Sequence, residues 1–167
     1  MCGVAGIIDY RGKTNTVTAV GIMLRSFSHR GPDESGVYHA PTATIGNVRL
    51  SIIDLQTGQQ PLSDISGRYW IVFNGEIFNY IELREDLEKK NVRLKTKSDT
   101  EVLVNLYAIY GKSCLSMLNG QFAFAIWDKQ KEELFLARDR VGIRPLFYTL
   151  ANGGLYFASE IKALFRN

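Results

Sequence analysis

Residues 121–158 read QFAFAIWDKQKEELFLARDRVGIRPLFYTLANGGLYFA, a series of short apolar segments separated by polar and glycine-containing turns. Four segments have the length and composition of strands, namely 121–128, 133–138, 146–150 and 155–158. Asn152-Gly153 separates the last two segments and is a dipeptide typical of two-residue hairpin turns. These features predict consecutive antiparallel hairpins without helical crossovers.

The rest of the chain adds further strands and two blocks of helix. Residues 3–9 and 69–74 are typical of strands, and residues 18–27 are typical of an amphipathic helix. Strands in runs with helices in blocks favour an α+β domain, with helices covering antiparallel sheets, over a doubly wound parallel sheet. The pattern does not distinguish two facing sheets from one large sheet. Because no linker, repeat or low-complexity tract interrupts residues 1–167, we expect one domain.

Two helix starts carry the pattern of a capping box. Asn79 is followed three residues later by Glu82, and Ser98 is followed by Glu101. The first pair predicts a helix that ends near residue 89. The second predicts a helix that Gly111 closes.

Composition places the chain among globular proteins and excludes few functions. Apolar residues make up 46% and charged residues 22% of the chain. Because the basic residues behind the formal net charge of +3 are not gathered into one run, we expect no nucleic-acid partner. The apolar stretch 4–8 is too short for a signal or membrane segment, so we expect a cytoplasmic protein. Cys2, Cys114, His29 and His39 form neither a disulfide framework nor a zinc-binding pattern, and no structural metal is expected.

Of the two thiols, Cys2 has the position that favours chemistry. Cys114 lies in an apolar helical context and is interpreted as a buried hydrophobe. Cys2 would become the N-terminal residue once Met1 is removed, which places a thiol beside a free α-amine. Such an amine titrates near pH ~8 in model peptides and can act as general base for the thiol. A Ser-His-Asp triad is disfavoured because the sequence contains no G-x-S-x-G motif.

Eight segments distributed along the chain together resemble the glutaminase domain of the asparagine synthetase family, which comprises class II glutamine amidotransferases of the N-terminal-nucleophile type. They are 2–7 (CGVAGI), 29–33 (HRGPD), 49–54 (RLSIID), 73–80 (FNGEIFNY), 98–102 (SDTEV), 120–125 (GQFAFA), 137–146 (ARDRVGIRPL) and 158–164 (ASEIKAL). Phosphoribosylpyrophosphate amidotransferases share a segment like the one at 142–146, whereas the segments at 30–33, 74–77 and 158–164 resemble asparagine synthetases more.

The resemblance implies a fold and a reaction centre. The fold is a four-layer αββα sandwich of two antiparallel sheets, the N-terminal-nucleophile hydrolase fold, with Cys2 as nucleophile on the first strand. Asn74, through its side-chain NH2, and Gly75, through its backbone N–H, match the family's oxyanion-hole pair. Without the flanking match, Asn74-Gly75 would be interpreted as a tight turn.

The resemblance also implies a clamp for the glutamine zwitterion. Arg49 matches the residue that binds the α-carboxylate, for which a bidentate guanidinium is suited. Asp99 matches the carboxylate that binds the α-ammonium, with Glu76 expected beside it. Asp99 could also serve simply as an anion at a helix start.

Other segments that carry the resemblance are interpreted as structural. The loop 30–33 is expected close to the nucleophile, with Arg30 ordering the surroundings of the N-terminal amine. The pairs 139–140 and 144–145 are interpreted as a charged turn without a catalytic role. Phe122, Phe124 and Trp127 are expected in the core.

The function implied is hydrolysis of glutamine to glutamate and ammonia through a γ-glutamyl thioester. In the family, ammonia passes to a synthetase domain, which is the expected user of ATP and Mg²⁺; no cofactor is expected for residues 1–167. No Ser-Gly-Gly-x-Asp-Ser loop is present, so the synthetase domain is expected to be missing from a truncated chain or to be a split subunit. Two alternatives stay open: a catalytically silent module that binds glutamine or packs against a partner, and an acylase of the same fold.

Overall fold

The computed structural model describes residues 1–12, 14–51, 54 and 57–165, so Ile52 and Ile53 of the 49–54 segment lie outside the described residues. The strands of the described part are β1 (Gly3–Ile8), β2 (Glu34–Ala40), β3 (Ala43–Arg49), β4 (Leu62–Ser63), β5 (Tyr69–Ile77), β6 (Gly120–Asp128), β7 (Glu133–Arg138), β8 (Phe147–Ala151) and β9 (Gly154–Ala158). The α-helices there are α1 (Thr16–Ser26), α2 (Tyr80–Lys89), α3 (Asp99–Tyr110) and α4 (Ile161–Leu164).

The strands form two antiparallel sheets. One has the order β2-β3-β1-β9-β8 and the other the order β4-β5-β6-β7. The hairpin predicted at Asn152-Gly153 is confirmed: both residues have positive φ, at 53° and 78°, and they join β8 to β9 with Ala151 opposite Gly154. The expectation of an unbroken series of hairpins is wrong between β7 and β8, because the chain there passes from one sheet to the other.

The two sheets are the inner layers of an αββα sandwich, which confirms the predicted fold class. Apolar side chains of α1, including Val20 and Met23, pack with Ala5 and Ile7 on the outer face of the first sheet. The helices α2 and α3 cover the outer face of the second sheet. A third cluster lies between the sheets, and it includes Val4, Ile45, Val72, Trp127 and Phe157.

The predicted core aromatics are confirmed on both faces of β6. Phe122 and Phe124 pack with the helices that cover the second sheet. Trp127 points to the opposite face, where it is buried between the sheets. In the described part of the chain, no helix is long and apolar enough to cross a membrane.

The two capping boxes predict the helix positions correctly, but only one of the predicted side-chain caps forms, that of Ser98. Asn79 precedes α2, yet its side chain makes no capping hydrogen bond. Its Oδ1 instead accepts from Asn119 N at 3.0 Å, and its Nδ2 donates to Met117 O at 3.0 Å. These long-range partners tie the start of α2 to the segment before β6.

At α3 only half of the capping box forms. Ser98 Oγ accepts from Thr100 N at 3.1 Å, as an N-cap does. Glu101 does not bond back to Ser98; its carboxylate accepts from Lys95 N at 2.8 Å and Thr96 N at 2.7 Å. Gly111 ends α3 with φ 55°, as predicted.

Candidate active site

Cys2 is fixed at the entrance of β1 by contacts from three separate segments. Its Sγ accepts a hydrogen bond from Leu50 N at 3.4 Å, beyond the end of β3. Its carbonyl accepts from Arg30 Nε at 3.0 Å. Two residues further on, Val4 N donates to Ser159 Oγ at 2.9 Å, and Ser159 N donates to Val4 O at 2.8 Å. The thiol therefore has a defined position at one end of the sandwich.

The loop 30–33 supports this end of the first sheet. A Cβ on Gly31 would lie 2.4 Å from Arg49 N and Val48 C, so only glycine permits this approach of the loop to β3. Asp33 N donates to Arg49 O at 3.2 Å, and Asp33 Oδ2 accepts from Ser51 N at 2.8 Å. The loop contacts β3 through its backbone, in agreement with the structural role expected for it.

Asn74 and Gly75 lie within β5 and not in a tight turn. Asn74 is 1% exposed, and neither its Nδ2 nor its Oδ1 has a hydrogen-bond partner among the described residues. Buried amides are normally paired, so this carboxamide is suited to a bound polar group. Along the same strand, Phe73 N donates to Gln60 Oε1 and Ile77 N donates to Asp99 Oδ2. Because N–H groups alternate sides along a strand, Gly75 N–H points to that same edge.

Arg49 ends β3 and is almost fully buried, at 4% exposure. Its Nη1 donates to Glu34 Oε2 at 2.9 Å, and its Nη2 donates to Asp54 O at 2.7 Å. Asp54 Oδ2 accepts in turn from Lys97 N at 2.7 Å, just before α3. The guanidinium is thus held in one orientation by a carboxylate and a carbonyl group.

Asp99 occupies the first turn of α3 and is 4% exposed. Burial raises the pKa of this carboxyl, and the neighbouring Glu76 raises it further, while hydrogen bonds from Ile77 and Thr100 oppose the shift. An ammonium group placed beside Asp99 would relieve the cost of ionising it. The environment is therefore suited to a cationic ligand, and the helix-start role is compatible with it.

All six residues predicted for the site line one cleft. They are Cys2, Arg49, Asn74, Gly75, Glu76 and Asp99. The volume of the cleft is about 570 Å³ when the solvent at its open entrance is included. The remaining lining residues are Met1, Leu50, Gly58, Gln60, Phe73, Ser98, Thr100 and Arg144.

The sequence does not predict a site role for three further polar residues, two of which line the cleft. Gln60 bridges the cleft wall, accepting from Phe73 N at 2.7 Å and donating from Nε2 to Thr100 Oγ1 at 3.2 Å. Arg144 reaches the cleft, although its segment was interpreted as a charged turn. Asn47, outside the cleft lining, is fully buried on β3 with no hydrogen-bond partner among the described residues for its amide atoms. No local pattern in the sequence signals any of these positions.

The fold and this cleft define the class of protein. The family model of the glutamine amidotransferase domain matches residues 1–167, and the chain belongs to that family. Its curated relatives include asparagine synthetase (glutamine-hydrolyzing) 1 of Bacillus subtilis (strain 168), 47% identical over 167 residues that cover 98% of this chain and 26% of that protein. Asparagine synthetase (glutamine-hydrolyzing) 2 of the same organism is 45% identical over 168 residues, covering 99% of this chain and 22% of that protein.

A solved structure agrees with the fold. Glutamine phosphoribosylpyrophosphate amidotransferase from B. subtilis, complexed with ADP and GMP, has a TM-score of 0.83 at 26% identity, covering 98% of this chain and 43% of that chain. The resemblance deduced from the eight segments is thereby confirmed. The chain spans about a quarter of the length of the two asparagine synthetases, at 26% and 22%.

Proposed function

We propose that this domain hydrolyses glutamine to glutamate and ammonia, with Cys2 as nucleophile after removal of Met1. The observation that carries the proposal is the single cleft in which the Cys2 thiol, the Asn74 amide and the Gly75 N–H meet a buried arginine and a buried carboxylate. This set combines a nucleophile, two donors for an oxyanion, and one charge of each sign for an amino-acid zwitterion.

The reaction begins when the α-amine of Cys2 takes the thiol proton and Sγ attacks the carboxamide carbon of glutamine. The carbonyl oxygen becomes an oxyanion, which accepts hydrogen bonds from Gly75 N–H and Asn74 Nδ2. Collapse breaks the C–N bond, and the nitrogen leaves as ammonia with the proton that the amine returns. Water then attacks the γ-glutamyl thioester, the amine takes a water proton, and the thiol is re-formed as glutamate leaves.

Substrate recognition would divide between the two sides of the cleft. The α-carboxylate would bind Arg49, whose orientation Glu34 fixes at 2.9 Å. The α-ammonium would bind Asp99 and Glu76. Placing both charges of the zwitterion holds the carboxamide at Cys2 and disfavours amides that lack the amino-acid group.

The ammonia would pass to an ATP-dependent asparagine-synthetase-type domain or subunit. The curated relatives support this partner, because they are glutamine-hydrolysing asparagine synthetases and the present chain covers only a fraction of their length. In this proposal, ATP and Mg²⁺ serve the synthetase reaction, and glutamine hydrolysis needs no cofactor. A cytoplasmic location fits a mechanism that requires a reduced thiol.

The test is glutamate release by wild type, Cys2→Ala and Cys114→Ala, with the mass of each intact protein measured first. The matched control Cys114→Ala removes the other thiol, which is buried and lies outside the cleft. We expect loss of Met1 in all three proteins, activity in wild type and Cys114→Ala, and at least ~10³-fold less in Cys2→Ala. Met1 retained on active protein, or equal activity in Cys2→Ala, refutes the mechanism.

The same proteins separate the enzyme from the silent module and the acylase. A glutamine analogue with an electrophilic ketone in place of the carboxamide should add one molecule to wild type and none to Cys2→Ala, as read by mass spectrometry. A processed wild-type protein that neither turns over glutamine nor reacts with the analogue would favour the silent module. Faster cleavage of simple N-acyl amides than of glutamine would favour the acylase.

A further inference from the structure

The segment between β7 and β8 holds one side chain in the cleft that the proposed reaction leaves without a role. Asp139 is 6% exposed, and its carboxylate accepts backbone hydrogen bonds within this segment. Among its donors is Arg144 N at 3.0 Å. Arg144 O accepts from Arg138 Nε at 2.6 Å. Both polar groups of the Arg144 backbone are therefore fixed, and the side chain leaves the segment in one direction.

The segment is also tied to the strand that faces the oxyanion donor. Phe122 N donates to Asp139 Oδ2 at 3.2 Å, and Asp139 N donates to Phe122 O at 2.8 Å. Phe122 lies directly opposite Gly75 in the β5–β6 pair. The fixed segment therefore carries Arg144 to the reacting end of the cleft.

Arg144 lies beside the position that the mature N-terminus occupies. Its Nη1 contacts Sδ of Met1, and both residues line the cleft with Cys2. A short covalent path through the Met1 side chain joins Sδ to the Cys2 nitrogen, so the guanidinium lies within about 9 Å of that nitrogen. Removal of Met1 takes away the side chain between them.

The other basic side chains in this region have carboxylate partners. The pairs are His29, Arg30 and Lys162 with Glu160, and Arg49 with Glu34. Arg144 forms no ion pair with any described residue, and its buried Nε has no hydrogen-bond partner among them. The nearby Asp139 carboxylate is occupied by backbone N–H groups. Of the cleft carboxylates, Glu76 and Asp99 face the ammonium group of glutamine in the proposed function.

We propose that Arg144 is a positioning residue that keeps the α-amine of mature Cys2 unprotonated, and so able to take the thiol proton at neutral pH. A positive charge near an amine disfavours the protonated form of that amine. A charge at the edge of a cleft is screened less by salt than one on an open surface. This inference rests on the proposed function, because it assigns a purpose to the amine of Cys2.

The first test compares pH profiles of kcat/KM for glutamine, using processed protein. Arg144→Gln removes the charge, Arg144→Lys retains it, and Arg140→Gln removes an exposed charge from the same segment. We expect the acidic limb of Arg144→Gln to move to higher pH by roughly 0.5–1.5 pH units, the effect of one charge at this distance. At pH 6 this is a loss of roughly 3- to 30-fold, converging toward wild type at high pH.

The Lys variant should stay close to wild type, and Arg140→Gln should not move the limb. An acidic limb of Arg144→Gln that coincides with wild type overturns the inference. A loss of equal size at every pH also overturns it, because that result indicates a contact with substrate or a structural role.

A second measurement does not depend on turnover. In the Cys2→Ala protein the α-amine titrates without a neighbouring thiol, and its midpoint can be followed by NMR with and without Arg144→Gln. We expect the midpoint to rise when the Arg144 charge is removed. An unchanged midpoint overturns the inference. A midpoint that rises while the rate profile stays fixed also overturns the inference, and it locates the failure in the proposed function, because the Arg144 charge then acts on an amine that is not the base.

Discussion

Asp139→Asn tests how the segment between β7 and β8 is held. Each carboxylate oxygen of Asp139 accepts two backbone N–H groups. The Oδ1 partners are Val141 at 3.2 Å and Ile143 at 2.9 Å, and the Oδ2 partners are Phe122 at 3.2 Å and Arg144 at 3.0 Å. An asparagine offers one acceptor oxygen, so two of the four N–H groups lose their partner whichever way the amide is turned.

The size of the stability loss depends on which two hydrogen bonds are lost. The side chains of Val141 and Ile143 are 85% and 57% exposed, so water can reach that side of the segment. The asparagine NH2 should therefore face Val141 and Ile143 and keep its oxygen on Phe122 and Arg144. Losing two hydrogen bonds to a charged acceptor, at about 1.5 kcal/mol each, lowers the free energy of unfolding by about 3 kcal/mol. In a domain of this size Tm should fall by roughly 6–12 °C.

The effect depends on pH, and its sign follows from the pKa of Asp139. Burial raises this pKa, but the hydrogen bonds from Arg144, Ile143, Phe122 and Gly142 together lower it below the ordinary value of 3.8. A carboxyl group with a depressed pKa stabilises the fold above its ordinary pKa, and this contribution is lost as pH falls through the folded-state pKa. The variant has no such titration, so the difference from wild type should be full at pH 7 and smaller below pH 3.8.

Urea unfolding of wild type and Asp139→Asn at pH 7 and near pH ~3 measures both effects. Asp86→Asn is the matched control, since Asp86 is exposed on α2 and its carboxylate pairs there with the exposed Lys89 at 3.3 Å. The control should change stability by less than about 0.5 kcal/mol. A decrease in the free energy of unfolding below about 1 kcal/mol for Asp139→Asn would contradict the role given to the Asp139 carboxylate. An equal decrease at the two pH values would contradict it as well.

Three further predictions concern the thiols, the ammonium site and the oxyanion donor. Burial raises the pKa of Cys114 to about 11, so a disulfide reagent at pH 8 should titrate only Cys2 in native protein and both thiols after unfolding; two fast native thiols would contradict this. Because burial raises the pKa of Asp99 and makes its ionised form costly above that pKa, Asp99→Asn should raise Tm at pH 7. KM for glutamine should rise at least ~10-fold in the same variant, and an unchanged KM would exclude the ammonium role. In Gly75→Ala the new Cβ would lie 2.1 Å from a carbonyl oxygen of β6, so kcat/KM should fall by ~10²-fold or more. The control Gly21→Ala within α1 has no such clash and should stabilise the fold by about 0.5–1 kcal/mol. Wild-type activity in Gly75→Ala would contradict the assignment of Gly75 as oxyanion donor.

The sequence predicts most of the helices and strands but not β2, β3, the two-residue β4 or the short α4. The strands β2 and β3 carry residues with weak strand preference, such as Gly36, Gly46 and Asn47. Tertiary contacts explain the glycines: a Cβ on Gly36 would lie 2.0 Å from Gln60 O, and one on Gly46 would lie 2.9 Å from Gly36 O. The approach of Gln60 to Gly36 joins segments far apart in the chain, so no local pattern reveals it.

The crossing between the sheets after β7 is missed for a similar reason. Residues 139–144 have the polar and glycine content of an ordinary hairpin turn. Their actual path depends on Asp139, whose carboxylate binds Phe122 on β6 as well as its own segment. The sequence predicts the charged turn. The direction in which the turn places Arg144 follows only from that long-range contact.

The residues of the site are predicted from the resemblance, and their placement in one cleft follows from the fold. Periodicity would have left Asp99 as a helix start and Asn74-Gly75 as a turn. Asn74 and Gly75 instead belong to a nine-residue strand, β5. The resemblance supplies the identities, whereas the direction of each donor depends on strand pairing.

The shortness of β4 explains why the Gly75 N–H group is left without a strand partner in the described part of the chain. This edge strand has two residues, Leu62 and Ser63, and pairs with β5 only at Ile71 and Trp70. Beyond that point no strand of the described residues pairs with the outer edge of β5, so its N–H groups need other partners. Gln60 satisfies Phe73, and Asp99 satisfies Ile77. Gly75 lies between these two positions and faces the cleft. In the proposed reaction, the oxyanion donor is therefore an edge N–H group that the early end of β4 leaves available to the substrate.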